Sequence, residues 1–85
     1  MAKYSISIKK SAEKELKCLS AEMYLRVRKS IYNLAENPRP NGCKKLKVKE
    51  SYHIREGDFR IIYEIEDEIL FIMVIKIGHR KEVYE

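Results

Sequence analysis

The chain has 85 residues, a length that predicts one domain over residues 1–85 with a small hydrophobic core. Hydrophobic residues make up 45% of it, which argues against disorder, and its longest apolar run, 69–75, is too short to cross a bilayer. Lysine and arginine number 18 against 13 acidic residues, and this net charge of +5 favours an anionic partner such as nucleic acid or an acidic protein segment.

The first part of the chain predicts a strand followed by two helices. Residues 3–9 alternate between apolar and polar side chains, as in a strand with one wet face. Ser11 is predicted to cap the first helix and Ser20 the second. The second helix is predicted over residues 21–36, where apolar residues recur every three or four positions, and it ends before Pro38.

The stretch 52–65 predicts a β-hairpin and organises the rest of the chain. Two alternating runs flank the sequence Glu-Gly-Asp, which is a tight-turn signal. Pairing the apolar faces of the two strands places His53, Arg55 and Arg60 together on the opposite, open face. A basic cluster on a rigid sheet is suited to holding a phosphate group.

Shorter features surround the hairpin. Residues 37–42 contain two prolines and a glycine and are predicted to form a stiff connector, and residues 46–48 a brief strand. After an acidic turn at 67–68, residues 69–77 are apolar on both faces, which predicts a central strand covered on both sides. The predicted order is strand, helix, helix and three strands, which is an α+β fold.

The positive charge lies in the middle of the chain and at its end. Residues 39–60 carry seven basic and three acidic side chains, whereas residues 61–75 carry four acidic and no basic ones. After the last predicted strand come His79, Arg80 and Tyr84. Arginine suits phosphate because its planar fork donates two hydrogen bonds, and a tyrosine beside arginines could carry a proton. Any one of these side chains could equally be a solvated surface residue, so the hypothesis depends on the set.

Other chemistries have no support in the sequence. Cys18 and Cys43 are the only cysteines; they lie far apart, lack zinc-site spacing and follow no signal peptide. They predict free thiols in a reducing cytosol, with no disulfide and no metal. There are no paired carboxylates, no Ser-His-Asp arrangement and no phosphate-binding glycine loop, and no cofactor is predicted.

Six short motifs occur in an order and spacing typical of one family. They are Asn-Pro-Arg-Pro at 37–40, Lys-Leu at 45–46, Tyr-His-Ile-Arg at 52–55, Gly-Asp-Phe-Arg-Ile-Ile-Tyr at 57–63, Ile-Gly-His-Arg at 77–80 and Val-Tyr at 83–84. In them the chain resembles the RelE/ParE superfamily of bacterial toxins nearly end to end, and most closely its RelE-like messenger-RNA interferases. The resemblance implies two N-terminal helices packed on one face of a curved, mainly antiparallel sheet.

The same resemblance implies a cytoplasmic, metal-independent endoribonuclease that cuts messenger RNA in the ribosomal A site through attack of the 2′-hydroxyl on the adjacent phosphate. It assigns Arg60 and Arg80 to stabilising the transition state and Arg55 to a place beside the scissile phosphate. Tyr84 would orient the nucleotide or transfer a proton. His53 stands where lysine occurs in well-known nucleases, and would be a catalytic group that titrates nearer pH 7. The remaining basic residues are implied to bind RNA: Lys44, Lys45, Lys47 and His79.

The resemblance also implies an antitoxin, whose extended or helical segment would cover the basic face or displace the C-terminal tail. Two other hypotheses stay open. One is a ParE-like toxin that inhibits DNA gyrase by contact without cutting RNA, and the other is a degenerate toxin that only binds its antitoxin. The fold cannot separate them. The set Arg60, Arg80 and Tyr84 favours the nuclease, because an inhibitor that only binds has no use for a convergent phosphate site.

Overall fold

The computed structural model describes residues 3–47 and 50–79, in which two helices pack on a five-stranded sheet. The elements are β1 (Ser5–Ile8), α1 (Lys10–Lys17), α2 (Ala21–Asn33), β2 (Lys44–Lys45), β3 (Ser51–Glu56), β4 (Phe59–Glu66), a 3₁₀ turn (Asp67–Ile69) and β5 (Phe71–His79). The sheet order is β1-β5-β4-β3-β2, with β1 parallel to β5 and every other neighbouring pair antiparallel. The predicted α+β fold, with its two helices and mainly antiparallel sheet, is confirmed.

The β3–β4 hairpin forms as predicted. The ladder continues up to the pair Glu56 and Phe59, so only Gly57 and Asp58 make the turn. Gly57 has a φ of +60°, a conformation that glycine adopts without strain. A Cβ added there would lie 3.1 Å from the Cε of Met23, because the turn packs closely against α2. Glycine is therefore favoured at this position by its backbone conformation, whereas a Cβ would require only the tip of the Met23 side chain to move.

The core lies between the two helices and one face of the sheet. Strand β5 is an interior strand between β1 and β4, but it lies one position away from the predicted central place, which β4 occupies. It is not covered on both sides, since Ile72 and Val74 are fully buried whereas Phe71 and Met73 stay partly exposed. The reason is that both helices contribute to a single core on one side of the sheet. The two helices contribute Ala12, Leu16, Val27 and Ile31 to that core, and Leu34 joins it from the C-cap of α2.

The helix ends confirm one predicted cap and contradict the other. Ser11 lies inside α1, whose N-cap residue is Lys9 and makes no side-chain hydrogen bond. The Oγ of Ser20 does cap α2, because it accepts a hydrogen bond of 3.2 Å from the backbone N–H of Met23. Helix α2 ends at Asn33, three residues earlier than predicted. Within the ranges 3–47 and 50–79, neither helix is long and apolar enough to span a membrane.

The brief strand predicted at 46–48 lies instead at Lys44–Lys45, and Val48 is outside the described residues. This short strand still leads into the hairpin, because it pairs antiparallel with β3. It adds a fifth strand to the sheet and gives β3 a neighbour on each side.

A polar network around Arg39 fixes the 37–42 connector to the sheet. The guanidinium donates hydrogen bonds of 3.3 and 2.9 Å to the two carboxylate oxygens of Asp67 and one of 3.0 Å to the hydroxyl of Tyr52. The hydroxyl of Tyr4 donates to the same Asp67 carboxylate at 2.6 Å. The network thus joins the residue before β1, the connector, β3 and the turn before β5.

The Asp67 carboxylate is expected to make the stability of the fold depend on acid pH. Hydrogen bonds from Arg39, and then from Tyr4, hold its pKa below the usual value of 3.8. A carboxyl group whose pKa is lower in the folded state stabilises the fold above its unfolded pKa, and this contribution is lost as the pH falls through the folded pKa. The variant Asp67→Asn is therefore expected to be less stable than the parent protein at neutral pH.

Urea unfolding at about pH 7, 5 and 3 measures this difference, which should shrink at the lowest pH as the parent carboxyl becomes protonated. Glu68→Gln, at the exposed neighbouring position, is the matched control and should lose little at neutral pH. A difference between Asp67→Asn and the parent that stays constant with pH would contradict the charged interaction.

Candidate phosphate-binding cleft

A cleft of about 450 Å³ opens where the sheet edge meets the end of α2 and the connector. Four predicted site residues line it: Lys44, His53, Arg55 and Arg60. The other lining residues are Ser30 and Asn33 of α2, Pro40, Asn41 and Gly42 of the connector, and Ile54 of β3. The cleft thus has two parts: basic side chains from the sheet, and uncharged side chains mainly from α2 and the connector.

Strand pairing explains why the basic side chains meet. Arg55 lies directly opposite Arg60 in the β3–β4 ladder, and Lys44 lies directly opposite His53 in the β2–β3 ladder. Residues directly opposite on an antiparallel pair have Cβ atoms about 4.5–5.5 Å apart. Like charges in this position destabilise the sheet, so an anion held between the two arginines would relieve the repulsion.

The acidic residue next to Arg55 does not neutralise it. Glu56 projects to the helix side of the sheet, because neighbouring residues in a strand point to opposite faces. There its carboxylate accepts a hydrogen bond of 2.6 Å from the hydroxyl of Ser30 and one of 3.1 Å from Nε of Arg26. Within residues 3–47 and 50–79, no carboxylate forms an ion pair with Arg55, whose side chain is exposed. Its charge is therefore available to an external anion.

The open face predicted around His53 is only partly open. The imidazole is 4% exposed and Ile62, its partner across the ladder, is 7% exposed. In the two ladders His53 lies between Lys44 of β2 and Ile62 of β4, whose side chains stand on the same face of the sheet. Arg55 is exposed and Arg60 half-buried, so the face opens toward the hairpin turn.

Lys45 lies on the other face of the sheet from Lys44. Its register partner is Tyr52, and its Nζ lies 5.7 Å from the centroid of that ring and 3.5 Å from the carboxylate of Glu50. The family resemblance implies that both lysines bind RNA. Alternation along a strand separates them, and only Lys44 reaches the cleft.

His79 and Lys47 also lie outside the cleft lining. His79 is the register partner of Phe59, and their rings meet edge to face with centroids 5.7 Å apart. Because Phe59 and Arg60 are consecutive in β4, their side chains project to opposite faces of the sheet. His79 therefore lies on the face of Phe59, opposite to that of Arg60. Lys47 is exposed after the end of β2.

Arg80 and Tyr84 lie outside the described residues, so their placement in the site stays a prediction. Strand β5 runs up to His79, and Gly78 is the register partner of Arg60. The last described residues therefore lie at the same end of the sheet as the arginine pair.

The sequence does not predict the uncharged wall of the cleft, which the end of α2 and the connector form. The connector is anchored to the core, because the hydroxyl of Tyr63 donates a hydrogen bond of 2.7 Å to the carbonyl of Pro38. Burial raises the pKa of Tyr63 well above its ordinary value, so the hydroxyl stays a donor. The only sequence signal for this wall was the composition of the connector, whose prolines and glycine marked a defined turn.

The opposed arginines predict a specific response to an oxyanion. Sulfate is expected to raise the melting temperature of the parent protein more than that of Arg55→Ala, because only the parent has two guanidinium groups to bridge. Without sulfate, Arg55→Ala should be at least as stable as the parent, since one of the two opposed like charges is gone. Thermal melts with and without sulfate measure both effects.

Arg28→Ala is the matched control, because it removes the same charge from an exposed part of α2 outside the cleft. It corrects for the general stabilisation that sulfate gives to any folded protein. An equal sulfate response in all three proteins would show that the cleft binds no oxyanion.

Comparison with known proteins gives consistent likenesses. The sequence model of the family described as "ParE toxin of type II toxin-antitoxin system, parDE" matches residues 6–84. The chain is similar to the mRNA interferase toxin RelE of Escherichia coli strain K12, with 28% identity over 85 residues that cover 95% of this chain and 90% of that protein.

The fold is also similar to those of two solved toxin–antitoxin complexes. One is the archaeal RelE–RelB complex from Pyrococcus horikoshii, with a TM-score of 0.82, 24% identity and coverage of 95% of this chain and 99% of that one. The other is the intact E. coli RelBE complex, with a TM-score of 0.79, 24% identity and coverage of 89% and 95%. At this identity the likeness shows a shared fold.

Proposed function

Because the chain belongs to the ParE toxin family of type II toxin–antitoxin systems, within the RelE/ParE superfamily, we propose that it is a ribosome-dependent endoribonuclease that cleaves messenger RNA in the A site. The observation that carries the proposal is the opposed pair Arg55 and Arg60 in a cleft that also contains Lys44 and His53. A toxin that acted only by contact would have no use for arginines that converge on one phosphate. The interferase name of the E. coli relative supports the same activity.

The reaction needs charge stabilisation at the scissile phosphate. The ribose 2′-oxygen forms a bond to phosphorus as the bond to the 5′-oxygen breaks, leaving a 2′,3′-cyclic phosphate and a 5′-hydroxyl. Negative charge builds on the non-bridging oxygens in the transition state, where Arg55 and Arg60 would each donate hydrogen bonds. Lys44 would hold a neighbouring phosphate as a point charge.

The reaction also needs two proton transfers, one from the 2′-hydroxyl and one to the leaving 5′-oxygen. His53 lines the cleft beside the arginines, and imidazole is the side chain best suited to move protons near neutral pH. We assign it to one of these transfers. Tyr84 would orient the nucleotide or serve the other transfer, and Arg80 would join the arginine pair.

A cognate antitoxin is the proposed protein partner. The two similar complexes each contain a RelE-type toxin with its RelB antitoxin. The chain's net charge of +5 and its basic cleft suit a partner segment that brings carboxylates. Such a segment would block RNA by occupying the cleft or by displacing the C-terminal tail.

Cleavage mapping on purified ribosomes tests the proposal. Messenger RNA bound to ribosomes should be cut at the A-site codon and carry 2′,3′-cyclic phosphate ends, while the same RNA without ribosomes should stay intact. Intact messenger RNA in the presence of ribosomes and the folded toxin would overturn the nuclease proposal.

One observation favours a second candidate, a toxin that inhibits DNA gyrase by contact, because the matching family is described as ParE. A DNA supercoiling assay separates the two functions. Gyrase inhibition together with intact ribosomal messenger RNA would establish this second candidate. A protein that does neither but binds its antitoxin would be a degenerate toxin.

A further inference from the structure

The cleft has two chemically different parts. The sheet supplies the four basic side chains, whereas α2 and the connector supply uncharged ones, among them Asn33 and Asn41. The basic part can bind a phosphate by itself, because guanidinium and ammonium groups provide both charge and hydrogen-bond donors. We therefore expect the uncharged part to contact a different portion of the ligand.

The amide groups of Asn33 and Asn41 are available for binding. Both residues are exposed, and neither side chain forms a hydrogen bond within residues 3–47 and 50–79. Asn37, between them in sequence, differs because its Oδ1 accepts a hydrogen bond of 3.3 Å from the backbone N–H of Arg39. Asn37 thus shapes the connector, while the other two asparagines leave a donor and an acceptor free at the cleft.

The connector leaves open space at the cleft. Gly42 also lines the cleft, with a φ of +89°, and a Cβ added there would meet no atom within 4 Å. Pro40 and Ile54 add apolar surface to the same lining. The cleft volume of about 450 Å³ lies within the range of about 300–1,000 Å³ that is common for small-ligand sites.

From these features we propose that Asn33 and Asn41 read a nucleobase next to the phosphate held by Arg55 and Arg60. A carboxamide presents a donor and an acceptor in one plane and pairs with base edges that do the same. Single-stranded RNA exposes those edges, because its bases can leave the stack. The inference rests on the proposed nuclease function and adds to it a base-selecting subsite in the same cleft.

Titration followed by ¹⁵N NMR tests the subsite without relying on cleavage. The probes are the four nucleoside 3′-monophosphates and ribose 5-phosphate, which has no base. Ribose 5-phosphate should shift the side-chain N–H signals of Arg55 and Arg60 but not the side-chain amide signals of Asn33 and Asn41. One nucleotide should also shift the side-chain amide signals of Asn33 and Asn41 and bind about 5- to 150-fold more tightly than the least favoured one, the range expected for one two-point amide–base pair.

The variants Asn33→Ala and Asn41→Ala should reduce this preference at least about fivefold and leave the affinity for ribose 5-phosphate unchanged. Lys29→Ala, on an exposed part of α2 outside the cleft, is the control and should keep the preference. Asn33→Ser and Asn41→Ser are second variants, should alanine disturb the end of the helix or the connector.

The outcomes separate this inference from the function on which it rests. Arginine signals that respond to every probe, with asparagine signals that respond to none, would overturn the base-selecting subsite and leave the phosphate site intact. A preference that survives in both asparagine variants would also overturn it. No response at either set of side chains would overturn the subsite and remove the phosphate site from the proposed function as well.

Discussion

Replacing Arg60 by alanine is expected to lower the rate of messenger-RNA cleavage on ribosomes about 100- to 1,000-fold, the loss typical of removing one preorganised donor to a developing oxyanion. Arg60 lines the cleft from the middle of the sheet and faces Arg55 across the ladder. Its planar guanidinium can give two hydrogen bonds to one phosphate, so Arg60→Lys is expected to recover little of the rate. Single-turnover cleavage of ribosome-bound messenger RNA measures both variants.

The control for this prediction is Arg28→Ala, which removes an equal charge from the exposed side of α2. There Arg28 lies 5.4 Å from the ring centroid of Tyr32 and outside the cleft lining. It should keep the cleavage rate within a few-fold of the parent. The melting temperature of Arg60→Ala should change little, because substitutions away from the core have small effects. A large fall in stability, in proportion to the lost activity, would mean that Arg60 serves the fold.

The position of the arginine pair could be predicted because the hairpin is specified locally. A register slip of one residue would expose Ile54 and Ile61 and bury the arginines, so the hydrophobic pattern allows only one pairing. Gly57 fixes where the turn falls, since it takes the positive φ that the two-residue turn requires. Local pattern and global fold agree here, and the basic cluster follows from both.

The rest of the cleft could not be predicted because it depends on contacts between distant segments. Whether Lys44 or Lys45 reaches the cleft is decided by how β2 pairs with β3, and neighbouring lysines give no periodic signal. The connector wall is placed by Arg39 and Asp67, which are 28 residues apart in the chain. Such long-range side-chain pairs produce no periodic pattern in the sequence. The prolines and glycine of the connector predict a turn, but they do not predict which residues the turn faces.

The largest effect on stability is expected at Tyr63, the residue that links the core to the cleft. Its side chain is 0% exposed in the middle of β4, and its ring stacks on Tyr52 with centroids 6.1 Å apart. Tyr63→Ala is expected to lower the free energy of unfolding by about 3–5 kcal/mol, the usual cost of removing a large buried aromatic ring. A domain of this length has a total stability of about 4–13 kcal/mol, so this loss is a large fraction of the total.

The companion variant Tyr63→Phe keeps the ring and removes only the hydroxyl that donates to the carbonyl of Pro38. It is expected to lose about 0.5–1.5 kcal/mol, the net contribution of one such hydrogen bond. Urea unfolding of the parent and both variants measures the two contributions. A loss below about 1 kcal/mol in Tyr63→Ala would contradict the packing of this core, since removing a buried aromatic ring usually costs about 3–5 kcal/mol. Equal losses in the two variants would assign the whole effect to the hydroxyl, and the connector would then depend on that one bond for its place at the cleft.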